Sequence, residues 1–290
     1  MSGTDTGPGD RSGVRVGVPS RGRLRDDCLV LLDRAGYTTD MLHGSGSIAA
    51  VGDLEFIEMR PRDAAAALAA GSLDAAFLAT DIVAEHELED LPALPLGFSR
   101  SELVVASRDD DGRRDAADLQ GAVVATHLPA LTGRFFEAKG IEVTVVAMGG
   151  ALEGVCAAGL ADAIVDLRET GTSLATNRLR VLEVVRRCEA QFVRRGGTAG
   201  LDALVLRLEA VLTARAHRYV MLHVPRGRLE ELRAVFPGLA SPTVLPLAGR
   251  DDLVAVHFVV AGHELWDRLG DLRALGATGI VALAPQALVP

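Results

Sequence analysis

The residues best suited to chemistry lie close together, in Ala161-Asp-Ala-Ile-Val-Asp-Leu-Arg-Glu-Thr-Gly-Thr-Ser-Leu174. An apolar, β-branched run ends in Asp166, and a short hydroxyl-rich loop with one glycine, Gly171, follows. Gly171 lets the backbone turn its N–H groups toward an anion, and Thr170, Thr172 and Ser173 add hydroxyl donors. A helix starting near Ser173 would contribute roughly half a positive charge at its N-terminus. A carboxylate at the strand's carboxyl end suits sugar hydroxyls. The spacing fits a site for a phosphate joined to a ribose. It fits equally an ordinary strand-to-helix turn capped by Thr or Ser.

The rest of the chain narrows that chemistry. It has 290 residues, 30 Lys+Arg against 39 Asp+Glu, and a net charge of -9. Lys139 is the only lysine, so a phosphate site must use arginine or backbone amides. An acidic chain without a basic block argues against nucleic acid as a partner. Cys28, Cys156 and Cys188 cannot all pair and lack metal-ligand spacing, which points to free thiols in a reducing cytosol. Met1 to Gly13 lacks the basic-then-apolar order of a signal peptide, and no apolar run reaches the roughly 20 residues of a membrane helix. The expectation is a cytoplasmic protein with a disordered tail over residues 1–13 and no membrane partner. His43, His86, His217, His223, His257 and His263 show no zinc spacing and are expected at the surface or in the core. Asp109-Asp-Asp111 is expected to be a solvated turn, and Trp266 to pack into the core from an amphipathic helix.

The elements that must position the loop follow from periodicity. The chain is 49% hydrophobic but 4% aromatic, so the core must be Ala, Val and Leu. Strands are expected at Val14–Val18, Leu54–Met59, Asp74–Leu78, Glu102–Ala106, Ala122–Ala125, Val143–Ala147 and Ala161–Val165. Helices are expected at Leu24–Ala35, from an Asp63 N-cap to Ala70, at Leu131–Lys139 and at Leu152–Gly159. This alternation argues for an α/β domain of mostly parallel sheets, in two lobes with a cleft between them. Arg194-Arg-Gly-Gly-Thr198 is a candidate linker. Beyond it, a helix over Ala199–Ala216 precedes a strand–helix–strand–strand–helix–strand order from Tyr219 to Leu283, with its second helix over His263–Leu275. That is the ferredoxin-like order. Small domains of this kind attached to enzymes often bind regulatory amino acids.

The loop does not stand alone. Pro19, Gly22, Arg23 and Leu24, then Arg60-Pro-Arg-Asp63, Asp118-Leu-Gln-Gly121, Ala125-Thr126, Pro129, Leu131, Thr132, Gly150, Glu153 and Gly159-Leu-Ala-Asp-Ala-Ile-Val-Asp166 occur in order. Together with Tyr219-Val-Met-Leu-His223, Pro237-Gly238, Ser241-Pro-Thr243 and Gly276-Ala277, they closely resemble the ATP phosphoribosyltransferase family in its long form. The resemblance runs from about Val14 to the end. It implies a two-lobed, periplasmic-binding-protein-like catalytic domain plus a C-terminal ferredoxin-like (ACT-like) α+β domain. The implied lobes are 14–103 with 183–198, and 104–182, ahead of a regulatory domain at 199–290.

The implied reaction joins ATP to 5-phosphoribosyl 1-diphosphate with Mg²⁺. N1 of adenine attacks the anomeric carbon and diphosphate leaves. Residue by residue, the resemblance assigns Thr170, Gly171, Thr172 and Ser173 to the 5-phosphate and Asp166 to the ribose. Glu153 falls near the ribose or the metal. Arg21 and Arg23 fall to the diphosphate or ATP phosphates, and Arg60 and Asp63 to the nucleotide side. Ser241, Thr243, Ala277 and His223 fall in the region that binds histidine as an inhibitor. Dimers to hexamers are implied. Departures accompany the match: Ala76-Phe-Leu-Ala79 replaces a Gly-Ile-Thr-Gly type turn, Gly44–Gly52 lacks a basic residue, and Glu102 stands where a basic residue is usual. Glu169 enters the loop, Ala130 follows Pro129, and His127 takes a Ser position. These keep open a paralogue with another base acceptor and a non-catalytic binding protein.

Overall fold

The computed structural model describes residues 13–198 and 200–290. The expected tail before Gly13 lies outside the described residues. The chain forms two compact units. One comprises the segment up to Val30 with Thr38–Leu201, and the other Leu31–Tyr37 with Asp202–Pro290.

In the first unit the order is β1 (Val14–Pro19), α1 (Gly22–Arg34), β2 (Ile48–Val51), β3 (Leu54–Met59), α2 (Pro61–Ala69), β4 (Ala75–Ala79), α3 (Thr80–Glu85) and β5 (Ala93–Pro95). Then come β6 (Ser101–Arg108), β7 (Val123–Thr126), α4 (Pro129–Ala138), β8 (Thr144–Ala147), α5 (Leu152–Ala157), β9 (Ala163–Arg168), α6 (Thr172–Thr176), β10 (Leu179–Cys188) and β11 (Ala190–Arg194). The strands form two sheets, one per lobe, ordered β2-β3-β1-β4-β11-β5 and β10-β6-β9-β7-β8.

Both sheets are mixed, which corrects the expectation of mostly parallel ones. The parallel pairs are β1 with β3 and β4, and β7 with β8 and β9. Around them run antiparallel strands without the expected alternation with helices: β2 hairpins onto β3, β6 lies against β9, and β10 and β11 are consecutive edge-side strands. The second lobe also reaches further than 182. β10 pairs with β6 along its whole length, so the chain returns to the first lobe at Glu189 and not at residue 183.

Alternate β6 side chains serve two cores. Leu103 and Val105 join a cluster with Leu78, Val124 and Phe136, and Val104 and Ala106 join one with Ala125, Ile164 and Leu174. Asp63 does not cap α2. Arg60 is the N-cap residue and Pro61 takes the first helical position, where its missing N–H costs nothing, so Asp63 falls in the first turn. Asp111 is not solvated: it is 5% exposed and pairs with Arg113 at 2.9 Å.

The second unit begins with the last turn of α1, to which α7 (Leu201–Ala216) is tied. The Arg207 guanidinium lies 5.1 Å from the Tyr37 ring centre and donates to the Ala35 carbonyl. β12 (His217–Pro225), α8 (Leu229–Val235), β13 (Thr243–Leu247), β14 (Arg250–Ala261), α9 (Gly262–Asp267), α10 (Leu269–Ala274) and β15 (Thr278–Leu283) follow. The antiparallel sheet is ordered β13-β14-β12-β15, with Val220, Leu222, Val256 and Phe258 buried against Leu232, Leu265 and Leu272. That is a ferredoxin-like arrangement. The helix expected over 263–275 breaks at Arg268 into α9 and α10. Trp266 is 62% exposed and does not pack in the core, because Leu265 already supplies the buried position of α9. Among the described residues no helix is long and apolar enough to cross a membrane.

Candidate active site

Asp166 sits where two pairings of β9 end at different points. Parallel pairing with β7 stops at Thr126 beside Val165, whereas antiparallel pairing with β6 continues to Glu102 beside Arg168. The strand therefore runs three residues past the expected end at Val165, and Asp166 has a neighbouring strand on one side only. Its side chain is 19% exposed, its Oδ1 accepts from the Leu167 N–H at 2.8 Å, and His127 Nδ1 stands 3.3 Å from the same oxygen. This is the carboxyl edge of β7, β8 and β9, where open α/β sheets receive ligands.

The loop after β9 turns through Gly171 at φ 81°, a conformation that glycine adopts without strain. Thr170 and Thr172 hydroxyls are 3.1 Å apart, and the Ser173 hydroxyl donates to Glu153 Oε1 on α5. The structure thus joins Glu153 to the loop. α6 spans only five residues, so its dipole is small. The hydrogen-bond donors at this corner are the loop's hydroxyls and amides. Glu153 follows Ala151, a non-glycine residue at φ 55°, so backbone strain is held at this corner.

The first lobe presents its own carboxyl edge. Ser20 N–H donates to the Met59 carbonyl, which sets Arg21 beside Arg60 at the ends of β1 and β3. Arg21, Arg60 and Asp63 are exposed. Of these arginines only Arg23 is tied across to the loop: its Nη1 lies 3.1 Å from Glu169 Oε2, and its Nη2 donates to the Arg100 carbonyl at 3.2 Å. Glu169 therefore points at an arginine and not into the hydroxyl cradle.

The other departures also find partners. Glu102 lies directly across from Arg168 and is bonded to it, which holds its carboxyl below the usual carboxylate range. Ala130 contributes its N–H: Glu85, from α3 of the other lobe, accepts from Ala130 at 3.2 Å and Leu131 at 2.8 Å. It thereby caps α4, whose N-cap Leu128 offers no side-chain oxygen. The stretch 44–52, which lacks a basic residue, is served by Arg25. That guanidinium reaches Glu58 at 2.5 Å and the Leu42 carbonyl at 2.9 Å, while Glu58 is fully buried and also accepts from Gly44 N–H. β4 passes into α3 with no loop between them: Ala76, Phe77 and Leu78 are buried, and Ala79 ends the strand as the extended N-cap residue of α3. Thr80 supplies a hydroxyl there, already bonded to Glu189 N–H.

A cavity of about 580 Å³ lies between the lobes, with Thr80, Glu102, Arg168, Glu169, Arg186 and Arg187 on its walls. Asp166 is not among its lining residues, so the cavity borders the loop without covering the carboxylate. Asp81, at the start of α3, is 1% exposed, its Oδ1 has no partner, and burial raises its carboxyl above the usual range. Cys188 is buried too, and its thiol is pushed up to about 11 by that burial. Sequence reading missed Arg25, Glu58, Asp81 and Glu85. Arg25, Glu58 and Glu85 act through contacts with residues distant in the chain.

Of the expected effector residues, His223 lies opposite Thr278, the neighbour of Ala277. Ser241 lines a cavity of about 290 Å³ with Glu230, Arg233 and Pro237. Ala277 is buried in the core, Thr243 lies opposite His257 on β14, and His223 lies opposite Ala255. None of those three lines that cavity.

Comparison with known proteins shows the family. Residues 60–213 match the family model described as ATP phosphoribosyltransferase, and residues 214–284 match the one described as the HisG C-terminal domain. The ATP phosphoribosyltransferase of Gemmatimonas aurantiaca is 39% identical over 96% of this chain and 100% of its own length. That of Parabacteroides distasonis is 33% identical over 95% and 99%. Among solved structures, a chain of the ATP phosphoribosyl transferase (HisG:HisZ) complex from Thermotoga maritima superposes with a TM-score of 0.59 at 25% identity, covering 67% of this chain and 96% of that one. With a family model over half its length and relatives above 30% identity from end to end, the chain belongs to the ATP phosphoribosyltransferase family.

Proposed function

We infer that this chain transfers the phosphoribosyl group of 5-phosphoribosyl 1-diphosphate to N1 of ATP and releases diphosphate, the first step of histidine biosynthesis. The observation that carries the reading is the carboxyl edge of the second lobe, where Asp166, the 170–173 loop and Glu153 meet. In the reaction the bond from the anomeric carbon to N1 forms as the bond to the diphosphate oxygen breaks. Positive charge builds on the ribose between the two, so positioning and electrostatics supply most of the catalysis.

The loop hydroxyls and the backbone around Gly171 hold the 5-phosphate. Asp166 offers Oδ2 to the ribose hydroxyls, since Oδ1 is occupied by the Leu167 amide. Arg23 serves the diphosphate once it leaves Glu169, and Arg21, Arg60 and Asp63 shape the ATP side. Glu153 fits Mg²⁺, a hard cation that takes one or two carboxylates plus substrate phosphates, and the bound ion would offset charge on the departing diphosphate. The second unit is the regulatory half, with histidine as effector at Ser241, Thr243, Ala277 and His223. The working protein is a cytoplasmic homo-oligomer.

The test is diphosphate release from the purified chain with ATP, the sugar donor and Mg²⁺, with and without histidine. Release that needs both substrates is the expected result. No release from folded protein beside an active control overturns the catalytic reading, and release indifferent to histidine removes the effector alone. Asp166→Ala should lower kcat/KM by about 100-fold or more, the scale of a lost transition-state contact, without moving the melting temperature.

A further inference from the structure

His127 follows the last paired residue of β7, as Asp166 follows the last paired residue of β9 on that side. The two side chains emerge together from one sheet edge although 39 positions separate them, and His127 Nδ1 is 3.3 Å from Asp166 Oδ1. The imidazole is not on a free loop. Thr126 Oγ1 donates to the Val165 carbonyl at 2.9 Å and accepts from Leu128 N–H at 3.0 Å, so the backbone is pinned on both sides of His127. Thr132 Oγ1 adds a third bond to the same hydroxyl, and all these groups are buried. Asp81 from α3 lies within electrostatic range of the ring, and Arg186 from β10 faces Asp81 in turn. His127 is therefore coupled in charge to a carboxylate of its own lobe and to one of the other lobe.

We propose that His127 is a positioning residue of the donor subsite: its Nδ1–H holds Oδ1 of Asp166 inward, so that Oδ2 is presented to the ribose hydroxyls. The proposal rests on reading Asp166 as the ribose carboxylate. A carboxylate swings about two side-chain torsions, and clamping one oxygen before the donor arrives removes that freedom from the binding step. An N–H to carboxylate bond is strong enough to do this. ATP makes no use of the clamp, so the effect falls on one substrate.

The experiment is steady-state kinetics of the full chain, each substrate varied at saturation of the other, for His127→Ala, His127→Asn, His127→Gln and Asp166→Asn. His127→Ala should raise the donor KM roughly tenfold and leave the ATP KM within about twofold, as loss of one hydrogen bond to a charged group implies. His127→Asn places an amide nitrogen where Nδ1 stands and should return to within about threefold of the parent, whereas His127→Gln, reaching too far, should not. If the alanine variant fails to fold, the Asn and Gln pair decides. Equal defects for both substrates, or no difference between Asn and Gln, would overturn the proposal. Asp166→Asn separates the two levels. An unchanged donor KM there removes the ribose-carboxylate reading itself, while a raised one beside a normal His127→Ala removes the positioning role alone.

Discussion

The loop at the second lobe's carboxyl edge and the buried charges of the first lobe use their polar groups in opposite ways. At the second edge, Thr170, Thr172, Ser173 and Glu153 bond mainly to one another, near the surface. Such bonds can be exchanged for bonds to a ligand at little cost. In the first lobe Arg21, Arg60 and Asp63 are exposed, but other charges are committed inward: Arg25 to buried Glu58, Glu85 to the amides that open α4, and Asp81 in the first turn of α3. A charge that holds the fold is not available to a substrate. Substitutions on the two sides should therefore report on different quantities, stability on one and donor use on the other.

That contrast can be broken in three places. The largest effect is expected at Arg25→Ala, which leaves the Glu58 carboxylate buried without its cation and should cost about 3–5 kcal/mol of stability. Denaturant unfolding checks this, and a loss under about 1 kcal/mol would show that the pair carries little. Next is Ser173→Ala. It should raise the donor KM about tenfold, near 1.4 kcal/mol, and leave the unfolding midpoint in place. A matched loss of stability would erase the distinction between the loop and the buried charges. The smallest is Asp81→Asn. Burial raises the Asp81 carboxyl in the folded state, so its favourable contribution is complete below the unfolded value and disappears as pH rises through the folded one. The Asn variant should gain on the parent between about pH 4 and pH 7, by about 2–4 °C in midpoint at pH 7 if the gain is near 1 kcal/mol. A gain independent of pH would mean that the carboxyl is not the cause.

The loop proposed for the sugar donor was legible as a strand end and turn because its signal is local. Six consecutive residues, Asp166 to Gly171, carry the strand end, the charge change and the turn, and the fold leaves them adjacent. The acceptor side was legible only in outline. Arg60 and Asp63 can be named from four residues, but nothing near 44–52 says that Arg25 serves that stretch, because the link runs through β3. Glu102 and Glu169 read as losses in the sequence. In the fold each faces an arginine, Arg168 and Arg23, from a different element.

The same division holds for the architecture. Periodicity marks β1, β3, β9 and the βαββαβ order of the second unit, because burial on one face imprints a local pattern. It does not mark β10, where half-buried Arg180 and Arg186 and exposed Val184 interrupt the alternation, or β11, which is only five residues long. What the sequence by itself determined was most of the strands and helices, the hydroxyl-rich turn after β9 and the family to which they belong. Only the tertiary structure decided that β10 keeps to the second lobe as far as Cys188, that Trp266 faces solvent and that His127 stands against Asp166. The physical reason is common to all three. Strand pairing and core occupancy are contests between segments far apart in the chain, and no local window contains both contestants.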